Sequence, residues 1–553
     1  MSSVFSRLLV SLLCSITLAH AHSTAQLHLQ TALVPLNLPT EDYAACGQVA
    51  PLNPSESQRS RINVNLDVLY GRDSFKLRTF EALGGAIRIP TESYDDLAPV
   101  GQDDRWDIFA LLHEYLEGTF PLVYQSLRVT KVNTYGIVLH WQGSNESLLP
   151  VLMTAHQDVV PVEPSTVNQW VHPPYSGYYD GTWIWGRGSC DDKSDIISQL
   201  TTIESLLKED FQPSRTFVFA FGFDEEASGL EGAGHLAVYL KSRYGINSFA
   251  ALLDEGGGFG KLYGGNVLFA GPSTGEKGYL DVRLEVSTPG GHSSVPPAHT
   301  GIGILASAIV AIESHSHDAS LARSGTVFQM LQCAAAHGPD ITTTLRSLIE
   351  KAASDDQALI ELSDALVKMG PKFAALVGTT QAVDLISGGV KVNALPERVE
   401  TVINHRIAEH RKFNLTLVSF GTNVTIGSEG AGHVILSKAW GTSLEPAPMT
   451  PISSSKPYEI LAGTIKAALK SSTIYNSTAV VVSPSLAIDT QFYWNLTKHI
   501  FRYSHSTDDG RYNQAHTVNE ASAYKVVALK GEALIDKIRF HTKFILNWDE
   551  STS

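Results

Sequence analysis

Three apolar runs set the texture of the first half of the chain. "YGIVLHWQG" (residues 135–143), "LLPVLMTAH" (148–156) and "TFVFAFGF" (216–223) are too short for helices and read as buried strands. Between them, "KSDIISQLTTIESLLKED" (193–210) repeats its apolar residues at i, i+3 and i+4 and predicts an amphipathic helix. "GHLAVYLKSRYG" (234–245) predicts another, stopped by Gly245, and "FAALLDEGGG" (249–258) a short buried strand that runs out in glycines. This strand–helix alternation predicts an α/β fold with a mostly parallel sheet, whose ligands gather at the carboxyl ends of the strands.

From Gly278 the pattern changes. "GYLDVRLEVST" alternates as a half-exposed strand does, and a helical run follows over 301–313. A longer helical region covers 341–377, and alternating strands return at 399–407. Near Pro457 the first texture resumes. The expected organisation is a catalytic domain in two pieces, residues 22–278 and 429–553, interrupted by a smaller α+β lid at 279–428.

The N-terminus carries a different signal. "LLVSLLCSITLAHA" (8–21) follows Arg7 and ends in Ala19-His20-Ala21. A dozen or so apolar residues suit a signal-peptide core better than the ~20 a spanning helix needs, so residues 1–21 are expected to be a cleaved secretory signal, with a short signal anchor as the alternative. Sequons at Asn145, Asn414, Asn423, Asn476 and Asn495 are compatible with the secretory pathway, leaving exterior and vacuolar lumen both open. Beyond that segment lie Cys46, Cys190 and Cys333, an odd number without a C-x-x-C pair, so no disulfide framework is expected. With 553 residues, 43% of them hydrophobic, the chain can bury more than one core. Its net charge of −15 with no long basic run argues against nucleic acid as a partner.

The acidic residues are concentrated where a parallel sheet would bring them together. One strand ends in His156 with Asp158 two residues on, another in Asp224, Glu225 and Glu226, and a third in Asp254. "GRGSCDDKSD" adds Asp191 and Asp192 just before a helix. Singly, each is ordinarily a solvated turn or a helix cap. Jointly, each after its own strand, they would repel one another unless a cation held them, and mixed imidazole and carboxylate ligation suits zinc, with cobalt or manganese as alternatives.

"TAHQDVVPV", "GRGSCDDK", "DEEASG", "LLDEGGG", "TPGGHSSVP", "VNALPE" with "NHR", and "QAHTVNE" occur in that order. Together they resemble the carboxypeptidase S-like (Gly-X carboxypeptidase) family of co-catalytic zinc metallopeptidases, with aminoacylase and desuccinylase relatives, over residues 60–540. The resemblance implies two zinc ions bridged by Asp191. His156 and Asp254 would bind one ion, Glu226 and His516 the other. Glu225 would be the general base, and Asp158 would orient His156 from behind. A cis peptide between Asp191 and Asp192 is implied as well. In the lid, His292 would donate to the oxyanion with help from Asn393, and Arg406 would bind a free substrate carboxylate. In dimeric relatives that histidine reaches the partner subunit, so a homodimer through the lid is an open expectation.

The resulting expectation is a metallo-exopeptidase that removes the C-terminal residue of short peptides. An N-acyl-amino-acid hydrolase is the alternative within the enzyme class. An inactive metal-binding homologue is disfavoured, because Glu225 and every ligand position are present. Two departures stand out. Gln491 occupies a position that is often basic in relatives. Only "AEHRK" (408–412) separates "VETVINHRI" from "FNLTLVSFG", where relatives carry a helix. Five residues reach at most ~18 Å, too short to run back along a ~23 Å strand. The helix is therefore expected to be absent, with "FNLTLVSFG" either an antiparallel hairpin partner or displaced.

Overall fold

The computed structural model describes residues 28–31, 34–35, 46–412, 415–418, 433–473, 475–476, 478–487, 491–507, 513, 515–523 and 533–552. The expected signal segment and the sequons at Asn414 and Asn423 lie outside the described residues. The chain forms two compact units. The larger comprises Glu41–Gly275, Gln329–Glu350 and Pro448–Ser553, and the smaller is built around Glu276–Phe328 and Lys351–Ala447.

The larger unit is organised by an eight-stranded sheet. Its order is Ser485–Ala487, Ser273–Glu276, Ile500–Tyr503, Ala251–Gly257, Val151–His156, Phe217–Gly222, Gly136–Trp141 and Arg128–Val132. The four strands from Ile500–Tyr503 to Phe217–Gly222 run parallel, and Gly136–Trp141 and Arg128–Val132 add antiparallel pairs at one edge. Gly136–Trp141, Val151–His156 and Phe217–Gly222 are buried at every residue. Helices cover both faces of a parallel sheet, which is why these strands read as continuous apolar runs rather than alternating ones. Met153, Phe219 and Leu253 pack on one face with the helices Ser57–Tyr70, Asp73–Ile87, Lys193–Lys208, Lys456–Ser471 and Ala533–Glu550. Leu152, Val218 and Leu252 pack on the other with Ala233–Tyr244. The α/β class with a mostly parallel central sheet is as expected.

Lys193–Lys208 departs from the amphipathic expectation: residues 193 to 206 are all buried, polar ones included. Several of their polar groups are bonded within the protein. Gln199 Nε2 donates to the Thr154 carbonyl at 3.0 Å, and Ser205 Oγ donates to Thr201 O at 2.7 Å. Two of the three cysteines are also joined. Cys46 and Cys333 form a disulfide across 287 residues of sequence, while Cys190 is buried and lies outside that bridge. Spacing alone could not pair them, because the bridge is closed by the tertiary fold and not by a local motif.

In the smaller unit, Thr380–Gly388, Arg398–Ile407, Gly278–Ser287 and His433–Leu444 form an antiparallel sheet in that order. Gly278–Ser287 buries every second residue, as its sequence alternation predicts, and Leu280, Val282, Leu284 and Val286 pack against Ile304, Leu305, Ala308 and Ile312 of the helix Gly301–Glu313. Of the five residues in question, Glu409 and His410 form a turn and Arg411–Lys412 is a two-residue strand paired antiparallel with Val34–Pro35, with no helix between Ile407 and Lys412. Arg411 N–H donates to Ala408 O, and the buried Glu409 accepts from the Val327 N–H at 3.1 Å. Leu415–Val418 is a strand that pairs antiparallel with His28–Thr31, so it is displaced from the four-stranded sheet instead of hairpinning onto Arg398–Ile407.

Candidate metal centre

Three parallel strands of the larger unit deliver side chains to one rim. His156 is the last residue of its strand and is 2% exposed. Its Nδ1–H donates to Asp158 Oδ1 at 3.1 Å, which leaves Nε2 facing outward, 2.9 Å from Asp191 Oδ1. Asp158 is wholly buried and also accepts from Glu225 N (3.1 Å), Glu226 N (3.0 Å) and Ser93 Oγ (2.6 Å). One carboxylate thus fixes the imidazole and the turn that carries both glutamates.

Asp191 follows a glycine-rich turn, and its peptide bond to Asp192 is cis. Its two oxygens face two different imidazoles: Oδ1 faces His156, and Oδ2 lies 3.2 Å from His516 Nε2. His516 Nε2 is also 2.9 Å from Glu226 Oε1. Asp191, Glu226 and His516 therefore converge as one potential ligand set, and His156, Glu225 and Glu226 as another. Glu225 stands at the open side, 31% exposed, with Oε2 3.9 Å from His156 Nε2.

The expected partner of His156, Asp254, is not brought into the cluster. Its Oδ1 accepts from Thr154 Oγ1 at 2.6 Å, across the register of the two neighbouring strands. The next residue, Glu255, reaches the rim instead, with Oε1 3.2 Å from His156 Nε2, and groups with His156 and Asp192. Sequence reasoning passed over Glu255. The signal available was strand alternation, which places successive residues of "LLDE" on opposite faces. Asp224, the first of the acidic triplet, serves the turn: it accepts from the N–H groups of Glu231 and Gly232, both at 2.7 Å. Burial pushes it up to about 7.

The electrostatics register the crowding. Burial alone would lower His156, but Glu255, Asp158 and Asp191 outweigh it and hold the imidazole well above its ordinary range. His516 is raised to about 10 by Asp191 and Glu226. Glu255 is pushed well up by burial. Two imidazoles and five carboxylates packed this closely form a donor set that fits a divalent cation of borderline softness.

Three expected residues belong to the smaller unit. Gly291–His292 pairs with Ala394–Leu395, and Ser293 N–H donates to Asn393 O at 3.3 Å, so His292 and Asn393 lie on adjoining segments, both exposed. Arg406 is half-buried on Arg398–Ile407, opposite Tyr279 and Thr380. In the larger unit, Gln491 Nε2 donates to Ser228 O at 3.2 Å, beside the turn of Glu225 and Glu226.

The model of Peptidase family M20/M25/M40 matches residues 152–535. The chain belongs to this family. It is a metal-dependent exopeptidase-type hydrolase. Carboxypeptidase S of Saccharomyces cerevisiae is 36% identical over 500 residues, covering 86% of this chain and 85% of that protein. An N-fatty-acyl-amino acid synthase/hydrolase of Mus musculus is 30% identical over 511 residues, covering 90% and 94%. Among solved structures, an M20 family metallo-carboxypeptidase from Sulfolobus solfataricus superposes with a TM-score of 0.52 at 18% identity, covering 85% of this chain and 99% of that one. The dipeptidase Dug1p of Saccharomyces cerevisiae gives 0.54 at 15% identity, covering 90% and 100%. At these identities the two structures establish the fold.

The placement of Glu255 is testable. Glu255→Gln should weaken metal binding by about 10-fold or more, whereas Asp254→Asn should perturb it less, since Asp254 acts through Thr154. Equilibrium dialysis with metal analysis reads this. The opposite order would return the ligand role to Asp254.

Proposed function

We propose that the chain is a zinc carboxypeptidase that hydrolyses the C-terminal peptide bond of short peptides at a two-ion centre. The observation that carries the reading is Asp191 standing between two imidazoles, one carboxylate oxygen toward each. His156 with Glu255 would hold one ion, Glu226 with His516 the other, and Asp191 would serve both. Two ions so placed, when bound, polarise the scissile carbonyl and make the attacking water acidic.

The protein's own groups do the rest. Glu225, fixed through its backbone by Asp158 yet open to solvent, takes a proton from the attacking water. The water oxygen bonds to the carbonyl carbon, the C–N bond breaks, and Glu225 returns the proton to the departing amine. His292, with Asn393, is assigned to the carbonyl oxygen as negative charge builds there. Arg406 is assigned to the substrate's free carboxylate through its planar fork.

A second reading is favoured by the N-fatty-acyl-amino acid synthase/hydrolase relatives: an N-acyl amino acid offers the same amide and the same free carboxylate. Assaying the zinc-loaded protein on Gly-Leu beside N-acyl-leucine separates the two. Entry into the secretory pathway, to the exterior or a vacuolar lumen, is supported by the apolar residues 8–21 and by exposed sequons at Asn145, Asn476 and Asn495. Among the described residues no helix is long and apolar enough to cross a membrane. A homodimer through the smaller unit is supported by Leu385, Ile386, Val390 and Val392, all more than half exposed.

Arg406→Lys should lose most of the preference for a peptide with a free C-terminus over its amide, because a point ammonium cannot make the paired contact. Unchanged kcat/KM on the free peptide would remove Arg406 from that role.

A further inference from the structure

We propose that Glu520, held by Arg187, is a positioning residue that locks the segment carrying His516 to the turn carrying Asp191. The inference rests on the reading of those two residues as metal ligands. Glu520 is fully buried, four residues after His516. Its Oε1 accepts from three N–H groups of the Asp191 turn: those of Gly188 (3.2 Å), Cys190 (3.2 Å) and Asp191 itself (3.4 Å). Oε2 accepts from Arg187 Nη1. Arg187 is 4% exposed and lies over the Trp170 ring, 5.7 Å from its centroid. The main chain continues the contact. Gly186 N–H donates to Glu520 O at 3.1 Å, and Ala521–Ala523 pairs antiparallel with Trp183–Trp185.

Such a clamp has a reason to exist. His516 and Asn519 both hold left-handed backbone, at φ +65° and +63°, which non-glycine residues keep only where surrounding contacts over-determine it. Asn519 adds to those contacts by accepting from Val171 N–H and donating to Gln169 O. A buried carboxylate is costly unless paired and hydrogen-bonded, and Glu520 achieves both only when the two ligand-bearing segments are docked together. Distances between Asp191 and His516 are therefore set from behind by one side chain.

Metal-free protein is titrated with cobalt, followed by the visible spectrum, for wild type, Glu520→Gln, Arg187→Gln/Glu520→Gln and His516→Asn. The double variant removes both buried charges and so avoids stranding one of them. Glu520→Gln and the double variant should each weaken the same cobalt equivalent as His516→Asn, by about 10- to 100-fold, with the other equivalent bound as in wild type. Wild-type affinity for both equivalents in the double variant overturns the proposal, whether or not Glu520→Gln folds. If His516→Asn leaves cobalt binding unchanged, the ligand reading itself fails and this inference falls with it.

Discussion

Glu225→Gln should leave the fold and the metal content intact while turnover falls by at least ~100-fold, the usual scale for loss of a general base. The side chain is at the open edge of the cluster, and its backbone N–H is held by Asp158 whatever the side chain carries. Glutamine is nearly isosteric, so nothing needs to repack, but it cannot accept a proton. Glu226→Gln makes the contrast. Glu226 is 6% exposed and only 2.9 Å from His516 Nε2, so losing its charge should release metal along with activity. Metal analysis beside pre-steady-state kinetics separates the two. Metal loss in Glu225→Gln with retention in Glu226→Gln would exchange their roles.

The cluster was legible where strand order alone decides geometry. His156 and Glu226 each follow a run buried on both faces, and parallel strands bring such ends to one rim. Least legible was the choice between adjacent residues. Asp254 and Glu255 are adjacent acids at a strand end, and which of them faces the rim depends on the alternation of side chains along the strand, one step either way. Glu520 lies within "QAHTVNE", but its partners are backbone N–H groups that no side-chain motif announces.

The helices show the same division. Gly301–Glu313 matched its expected bounds, because one apolar face packs on one sheet. Lys193–Lys208 reads as amphipathic from its polar residues, yet its Asp195 is buried against Lys537 of Ala533–Glu550 at 2.9 Å, and that second helix likewise pairs Lys543 with Asp67 at 2.9 Å and Asn547 with Thr464 at 2.8 Å. Polarity in the sequence marks a need for partners, which solvent meets in one helix and other side chains in the next.

That buried polar layer carries a pH dependence. His505 is 1% exposed, stacked on Phe540 at 4.9 Å, with Nδ1 2.9 Å from the Tyr503 hydroxyl. His541 is 2% exposed, with Nδ1 3.2 Å from Ser198 Oγ. Burial is the main cause that depresses both, His505 to about 3 and His541 to about 4; Lys537 adds to the effect and Asp195 opposes it. In the unfolded chain both protonate near the ordinary value of about 6.5. The unfolded state therefore binds more protons below that pH, and stability, complete above it, is lost as pH falls toward the folded values. Two such groups give a slope of about 2.7 kcal/mol per pH unit over the middle of that window. Denaturant unfolding of His505→Gln and His541→Asn across roughly pH 7 to 4.5 should show about half of this slope removed by each change relative to wild type. Imidazoles at the metal cluster titrate alike in all three proteins, so they cancel in the comparison. Parallel pH profiles for wild type and both variants would mean that these two histidines already carry their protons in the folded core.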